Sequence, residues 1–271
     1  MPFDEYDCVL GGMTILPRNK IVLCDQENRS VKLLNLKTMR IMSSVKLSSS
    51  PRDVCAMPND RAAVMLPVEG KIMLLIIRNK IKMKKSISIQ IGSTGLCYFD
   101  ETFIVTYGFG HSSKVEIVDM NGDILKTTEN RSQLMQIVDP VSVAVDCREP
   151  CLYILGTRHS TVTKMDLDLN VVKTITLHYK CTHYKLKIPR SIVHLGDSHL
   201  LMCGWESNNL VLLNTVTYEM RTLLDQKIHH PWCACYNSEL KRLYIYCSQV
   251  AGSNTLHVFE ASSTEPVVLP H

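Results

Sequence analysis

The densest set of chemically versatile side chains is the run His229-His230-Pro231-Trp232-Cys233-Ala234-Cys235. Imidazoles and thiolates are zinc ligands, and alternation along an extended chain puts Cys233 and Cys235 on one face. Tetrahedral zinc sites draw ligands from two spaced pairs. Neither Cys147 with Cys151 nor the stretch from His178 to His183 supplies the second pair. The expectation is therefore no metal, but a packed strand entered by a histidine-containing loop. The basic run Arg78–Lys85 is a second candidate. As a strand it places Lys80, Lys82 and Lys84 on one face and Ile81 and Met83 on the other, with Lys85 closing the run. Such a row is a candidate phosphate-binding edge, or an outer strand that its lysines keep soluble and unable to aggregate.

The third set combines arginines, histidines and aromatics in polar segments: Arg52, Arg158, His159, Arg190, Trp205, His230 and Trp232, including both tryptophans of the chain. Arg29, Phe109, His111, Lys185 and Lys187 extend it. Aromatics with arginines are the usual anchors of protein-binding hot spots. The same mixture stacks bases and neutralises phosphates. Loops also collect polar residues without serving any partner. Which reading applies depends on the elements that carry these residues.

Those elements repeat. A small residue or proline opens each unit, at Gly12, Pro51, Ser93, Pro140, Pro189 and Pro231. The spacing of roughly 44 residues is that of a four-stranded propeller blade, not of a helical solenoid. Each unit reads as a first strand, a polar turn such as Pro17-Arg18-Asn19 or Pro58-Asn59-Asp60, and a strongly apolar second strand such as Ile21–Cys24 or Leu243–Cys247. A third strand and a more polar fourth follow. Inner strands are packed on both faces and the outermost meets water, which accounts for that gradient. No segment sustains a helical period. The fold class expected is all-β: one six-bladed propeller of four-stranded antiparallel blades over residues 9–271. Residues 1–8 are a tail or a closing strand.

In this arrangement the loops entering each first strand and those between second and third strands share one side of the disc. The third set falls there, with Trp205 and Trp232 expected as exposed loop aromatics beside Arg190. A six-bladed hydrolase or lyase that holds a metal in its channel needs carboxylates or histidines at several inner-strand entrances. The two positions after each anchor are Met13-Thr14, Arg52-Asp53, Thr94-Gly95, Val141-Ser142, Arg190-Ser191 and Trp232-Cys233, and Asp53 is the only carboxylate among them. No catalytic residue, metal, cofactor or small-molecule substrate is expected.

Composition agrees. A hydrophobic content of 45% over 271 residues supports a sizeable core, and a charge of +4 is too mild to mark a nucleic-acid domain by itself. Eleven cysteines make an odd, irregularly spaced set, many inside apolar runs where a free thiol acts as a small hydrophobe. No apolar segment reads as a signal peptide or a membrane span. The two glycosylation sequons, at Asn28 and Asn130, carry little weight in a chain read as reduced and cytoplasmic.

The first unit, LPRNKIVLCDQENRSVKLLNL, resembles the NHL repeat through Asp25, Asn28, Val31 and Asn35. Later units keep fragments around Asp119, Asp166 and Asn214. The style is similar to the C-terminal NHL-like propellers of tripartite-motif proteins. That resemblance implies a propeller that recruits a protein partner as a substrate-recruiting or scaffold module, or in some members single-stranded RNA, while a separate RING finger transfers ubiquitin. No RING or B-box spacing of cysteines and histidines occurs in this sequence, so ligase activity does not carry over to these residues. Glu27, Glu69 and Glu206 interrupt the basic loops, which favours a protein partner over RNA.

Overall fold

A computed structural model describes residues 4–108, 113–128, 139–177, 186–225, 228–248 and 254–260. Blade one contains β1 (Leu10–Leu16), β2 (Lys20–Asp25), β3 (Ser30–Asn35) and β4 (Arg40–Lys46). Blade two contains β5 (Asp53–Met57), β6 (Arg61–Leu66), β7 (Lys71–Ile77) and β8 (Ile81–Ser88), and blade three β9 (Ser93–Phe99), β10 (Thr102–Tyr107), β11 (Lys114–Asp119) and β12 (Ile124–Thr127). Blade four has β13 (Pro140–Asp146), β14 (Cys151–Gly156), β15 (Thr161–Met165) and β16 (Val171–Thr176). Blade five has β17 (Pro189–Gly196), β18 (His199–Gly204), β19 (Asn209–Asn214) and β20 (Met220–Asp225). Blade six has β21 (Pro231–Asn237), β22 (Arg242–Cys247) and β23 (Thr255–Glu260), three strands among the described residues where the sequence predicts four. Every pairing within a blade is antiparallel. No described helix is long and apolar enough to cross a membrane.

Turn chemistry explains why these strands end where they do. Between first and second strands, Arg18 with Asn19, Asn59 with Asp60, Asp100 with Glu101 and Asp197 with Ser198 all have positive φ. Two consecutive positive φ values give the type I′ twist that matches a hairpin. Between third and fourth strands the terminal Asp or Asn folds back. Asn35 Oδ1 accepts from the amides of Lys37 and Thr38, and Asp119 Oδ1 from those of Asn121, Gly122 and Asp123. Asp166 and Asn214 do the same in blades four and five. The recurrent Asp/Asn of the repeat thus serves as a turn former.

Each adjacent pair of blades shares an apolar cluster, for instance Val22, Val31 and Val64 between blades one and two, or Leu201, Ile245 and Leu243 between five and six. The inner strands touch in sequence order and β1 touches β21, so the ring closes. Residues 4–9 lie at that closure without forming a strand before Leu10. The Cys8 carbonyl accepts from Tyr246 Oη (3.2 Å) and Asn254 Nδ2 (2.8 Å) of blade six, while the Val9 carbonyl accepts from the Gln26 amide (2.7 Å) of blade one.

The ten described cysteines are free thiols whose pKa is raised chiefly by burial; eight lie within strands, and only Cys147 is exposed. Thiol titration of the denatured, air-protected chain is expected to recover nearly all eleven. In the native state Cys147 should react first and the strand cysteines only as the blades open. Recovery of only a few thiols after denaturation would mean a disulfide framework and refute this packing.

The lysine edge departs from strict alternation. Along β8 only Ile81 and Ile87 are buried, and Met83 is 45% exposed instead of facing inward. A register shift between Met73 and Leu75 on the partner strand breaks the period, as a bulge at a sheet edge does. Lys80, Lys82, Lys84 and Lys85 are all exposed, and Lys85 Nζ donates to the Met120 carbonyl of blade three at 2.9 Å.

Candidate functional site

The inner strands carry a device that alternation alone does not show. Pairing with the second strand skips one residue next to the anchor: Gly11 in β1, Thr94 in β9, Val141 in β13, Arg190 in β17 and Trp232 in β21. Arg52 holds the corresponding place in blade two, immediately before β5, with its amide donating to the Met65 carbonyl at 3.0 Å. A bulge leaves its extra residue outside the ladder and re-aims it. These six residues, one from each blade, line one end of a central channel of about 370 Å³. At Gly11 a β-carbon would lie 2.4 Å from the Arg52 carbonyl oxygen, so the blade-one position admits no side chain.

Arg52 and Arg190 come from blades on opposite sides of the ring. The Arg190 guanidinium lies 4.6 Å from the Trp232 ring centre and 5.6 Å from that of Trp205, and the two indoles meet edge-to-face at 6.5 Å. The His230 ring lies tilted by 37° against Trp205 with centroids 4.9 Å apart, and its Nδ1 is 3.1 Å from the Trp205 carbonyl oxygen. The His230 amide donates to Asn208 Oδ1 (2.8 Å), and the Trp205 amide to the Ile188 carbonyl (3.2 Å). The cluster therefore joins the β18–β19 turn to the entrances of β17 and β21. Cation–π contact of a desolvated arginine is worth about 2 kcal/mol. Arg190 Nε and Trp205 Nε1 are nevertheless buried donors without a hydrogen-bond acceptor.

Arg52 Nε donates to the Thr94 carbonyl at 3.1 Å, and Thr94 Oγ1 reaches the Pro140 carbonyl at 2.6 Å. Burial pushes both guanidiniums below the usual arginine value; for Arg52 the Asp53 carboxylate opposes that shift and the Arg190 charge adds to it. Asp53 lies deeper. Its Oδ1 accepts from the Val54 amide (2.8 Å) and its Oδ2 from the Leu96 amide (2.9 Å) of blade three. Burial pushes its carboxyl up to about 6, against the pull of those two amides and of Arg52. Carboxyl NMR should show Asp53 titrating near pH 6, and Arg52→Gln should move that titration higher, because a positive charge that favours the carboxylate is gone. A downward move would mean that Arg52 does not act on Asp53.

Of the residues singled out in the sequence, Arg52, Arg190, Trp205, His230 and Trp232 gather at this mouth. The tryptophans differ from expectation: both are half-buried, and Trp232 lies on β21 itself, packed against the apolar cluster between blades six and one. The bulge explains this, since it turns the ring along the channel wall instead of into solvent. Arg158 and His159 are exposed in the β14–β15 turn on the same side, outside the cluster. Lys187 faces Glu206 at 3.8 Å nearby. The lysine edge is apart, at the rim. Phe109, His111, Lys185 and the stretch from His178 to His183 lie outside the described residues. Cys233 and Cys235 are buried between blades, and no group of three or more His, Cys, Asp or Glu among the described residues is placed to hold a metal.

The sequence reading aligned Arg52, Arg190 and Trp232 as residues directly after their proline anchors, but missed that they meet at one end of the channel. It also missed a buried polar network in blade one. Lys32 Nζ binds Asp25 Oδ2 (2.5 Å) and Asp4 Oδ2 (2.7 Å), and Asn28 bridges Asp25 to the backbone of Glu5 and Tyr6. The NHL-like residues Asp25 and Asn28 thus fasten the N-terminal segment.

Known structures share the fold. The chain superposes on hydrazine synthase of Kuenenia stuttgartiensis with a TM-score of 0.68 at 13% identity, covering 90% of this chain and 75% of that one. A protein of unknown function from Bacteroides caccae gives 0.67 at 14% identity, over 89% and 90%. A chain of the nidogen/laminin complex gives 0.65 at 12%, over 83% and 84%. At such identities the likeness is one of fold alone. No protein-family model and no curated protein matches the sequence.

Proposed function

We propose that this chain is a non-catalytic, cytoplasmic protein-interaction propeller, a substrate-recruiting or scaffold module of the tripartite-motif kind whose partner docks on the side bearing the channel mouth. The observation that carries the reading is Arg190 held between Trp205 and Trp232, an arginine–aromatic cluster at the centre of one face. Clusters of this composition near an interface centre are where binding energy concentrates. A propeller fold supplies the rigid support such a site needs, and the nidogen/laminin chain is a propeller found in a complex with another protein. The acidic Glu206 paired with Lys187 beside the cluster weighs against a phosphate-tracking surface. Capture of partners by the purified chain, with and without nuclease, tests the proposal. Protein partners retained after nuclease support it; capture that disappears with nuclease or with rising salt replaces it by single-stranded RNA binding.

A further inference from the structure

We propose that the channel mouth is a carboxylate receptor, which takes a glutamate or aspartate side chain of an acidic segment in the protein partner, with Arg190 as its principal contact. This deepens the protein-interaction reading and rests on it. Three observations point the same way. Bulges in five blades and the residue just before β5 in blade two put one residue per blade at the mouth, and the two charged ones, Arg52 and Arg190, are both arginines from opposite blades. Among the described residues no carboxylate pairs with Arg190, and its Nε is a buried donor without an acceptor. A guanidinium presents a planar fork that matches a carboxylate in two parallel hydrogen bonds. Flanking indoles fix that fork before the ligand arrives, which lowers the ordering cost of binding.

The choice of a carboxylate over a phosphate follows from Asp53. Its carboxyl group lies behind the two arginines in the same channel, held by the Val54 and Leu96 amides. A singly charged ligand balances the mouth, whereas a phosphate dianion leaves a negative charge uncompensated beside Asp53 and is disfavoured relative to it. The channel, at about 370 Å³, admits one side chain rather than a folded segment.

The two tryptophans of the chain both stand at this site, so indole fluorescence and the indole N–H region of an NMR spectrum report on it alone. The full chain is titrated with a capped peptide containing a single glutamate in a Gly/Ser background, with the same peptide carrying glutamine, with acetate and with inorganic phosphate. The expected result is a saturable shift of both indole signals by the glutamate peptide at about millimolar concentration or below. Acetate should compete more weakly, and the glutamine peptide should be silent. Arg190→Lys keeps the charge but loses the fork, and should weaken the glutamate peptide at least tenfold. Equal response to the glutamate and glutamine peptides overturns the proposal without needing any protein variant. So does phosphate binding more tightly than the glutamate peptide. If the peptides do nothing while the chain still captures protein through the same face, the carboxylate receptor falls and the interaction propeller stands.

Discussion

Replacing Lys32 by Met is expected to destabilise the chain by about 3–5 kcal/mol, the loss seen when one partner of a buried ion pair is removed and the other is left unpaired. Lys32 is 2% exposed and Asp25 0%, so neither charge is relieved by water when its partner goes. Urea unfolding at neutral pH reads the effect. Adding Asp25→Asn to Lys32→Met removes the stranded charge and should restore part of the loss. The pH dependence follows from the shifts. Burial alone would raise the Asp25 carboxyl, but hydrogen bonds from Lys32 and Asn28 outweigh it and hold the group below its usual 3.8. A depressed carboxylate stabilises the fold above its unfolded pKa, and that stability is lost as pH falls through the lower folded value. For Lys32, burial opposes and the hydrogen bonds of Asp25 and Asp4 prevail, raising it above 10.5. Its contribution is complete below the unfolded value and is lost as pH rises through the folded one. The wild type should therefore lose this stability on acidification below about pH 4, and the Lys32→Met, Asp25→Asn pair should lack that component. A loss under about 1 kcal/mol for Lys32→Met would show that the network is hydrated and not a buried pair.

The combined change Arg190→Ala with Trp232→Ala should weaken partner capture by at least about 2 kcal/mol, roughly thirtyfold, the scale of an interface hot spot. Folding will not be untouched. Trp232 packs against the cluster formed by blades six and one, so its truncation should cost about 1–3 kcal/mol, less than the 3–5 kcal/mol of a fully buried tryptophan. Trp232→Phe separates the two effects, because it keeps most of the packing and much of the ring face above Arg190. Circular dichroism and a denaturant midpoint establish that each variant is folded before binding is measured. Variants that fold and capture the same partners with unchanged affinity would exclude this face. The lysine edge of β8 would then be the surface to examine.

The sequence by itself determined the blade count and the order of strands, because these rest on local chemistry. The two-residue links Arg18-Asn19 and Asp100-Glu101 take positive φ because a tight hairpin between twisted strands requires it, and Asp119 or Asn214 folds back on the amides of the residues that follow it. Hydrophobic alternation then tells inner strands from outer ones. The repeat alignment already placed Arg190 beside Trp205 and Trp232, but how deep they sit and that Arg52 faces them were not legible, because these depend on ring closure between blades far apart in sequence. Arg190 reaches Trp232 only because β17 and β21 are neighbours in the ring, and Arg52 faces Arg190 only because blades two and five are opposite. The bulge found in five of the six inner strands also escapes a two-residue period, since it shows only in the register of two paired strands. It turned Trp232 from a presumed loop aromatic into part of the channel wall. The Lys32–Asp25–Asp4 network is of the same kind. Asp25 reads in the sequence only as a repeat-motif residue, and only the packing of residues 4–9 over blade one buries it with Lys32 and Asp4, where low dielectric makes their pairing decisive.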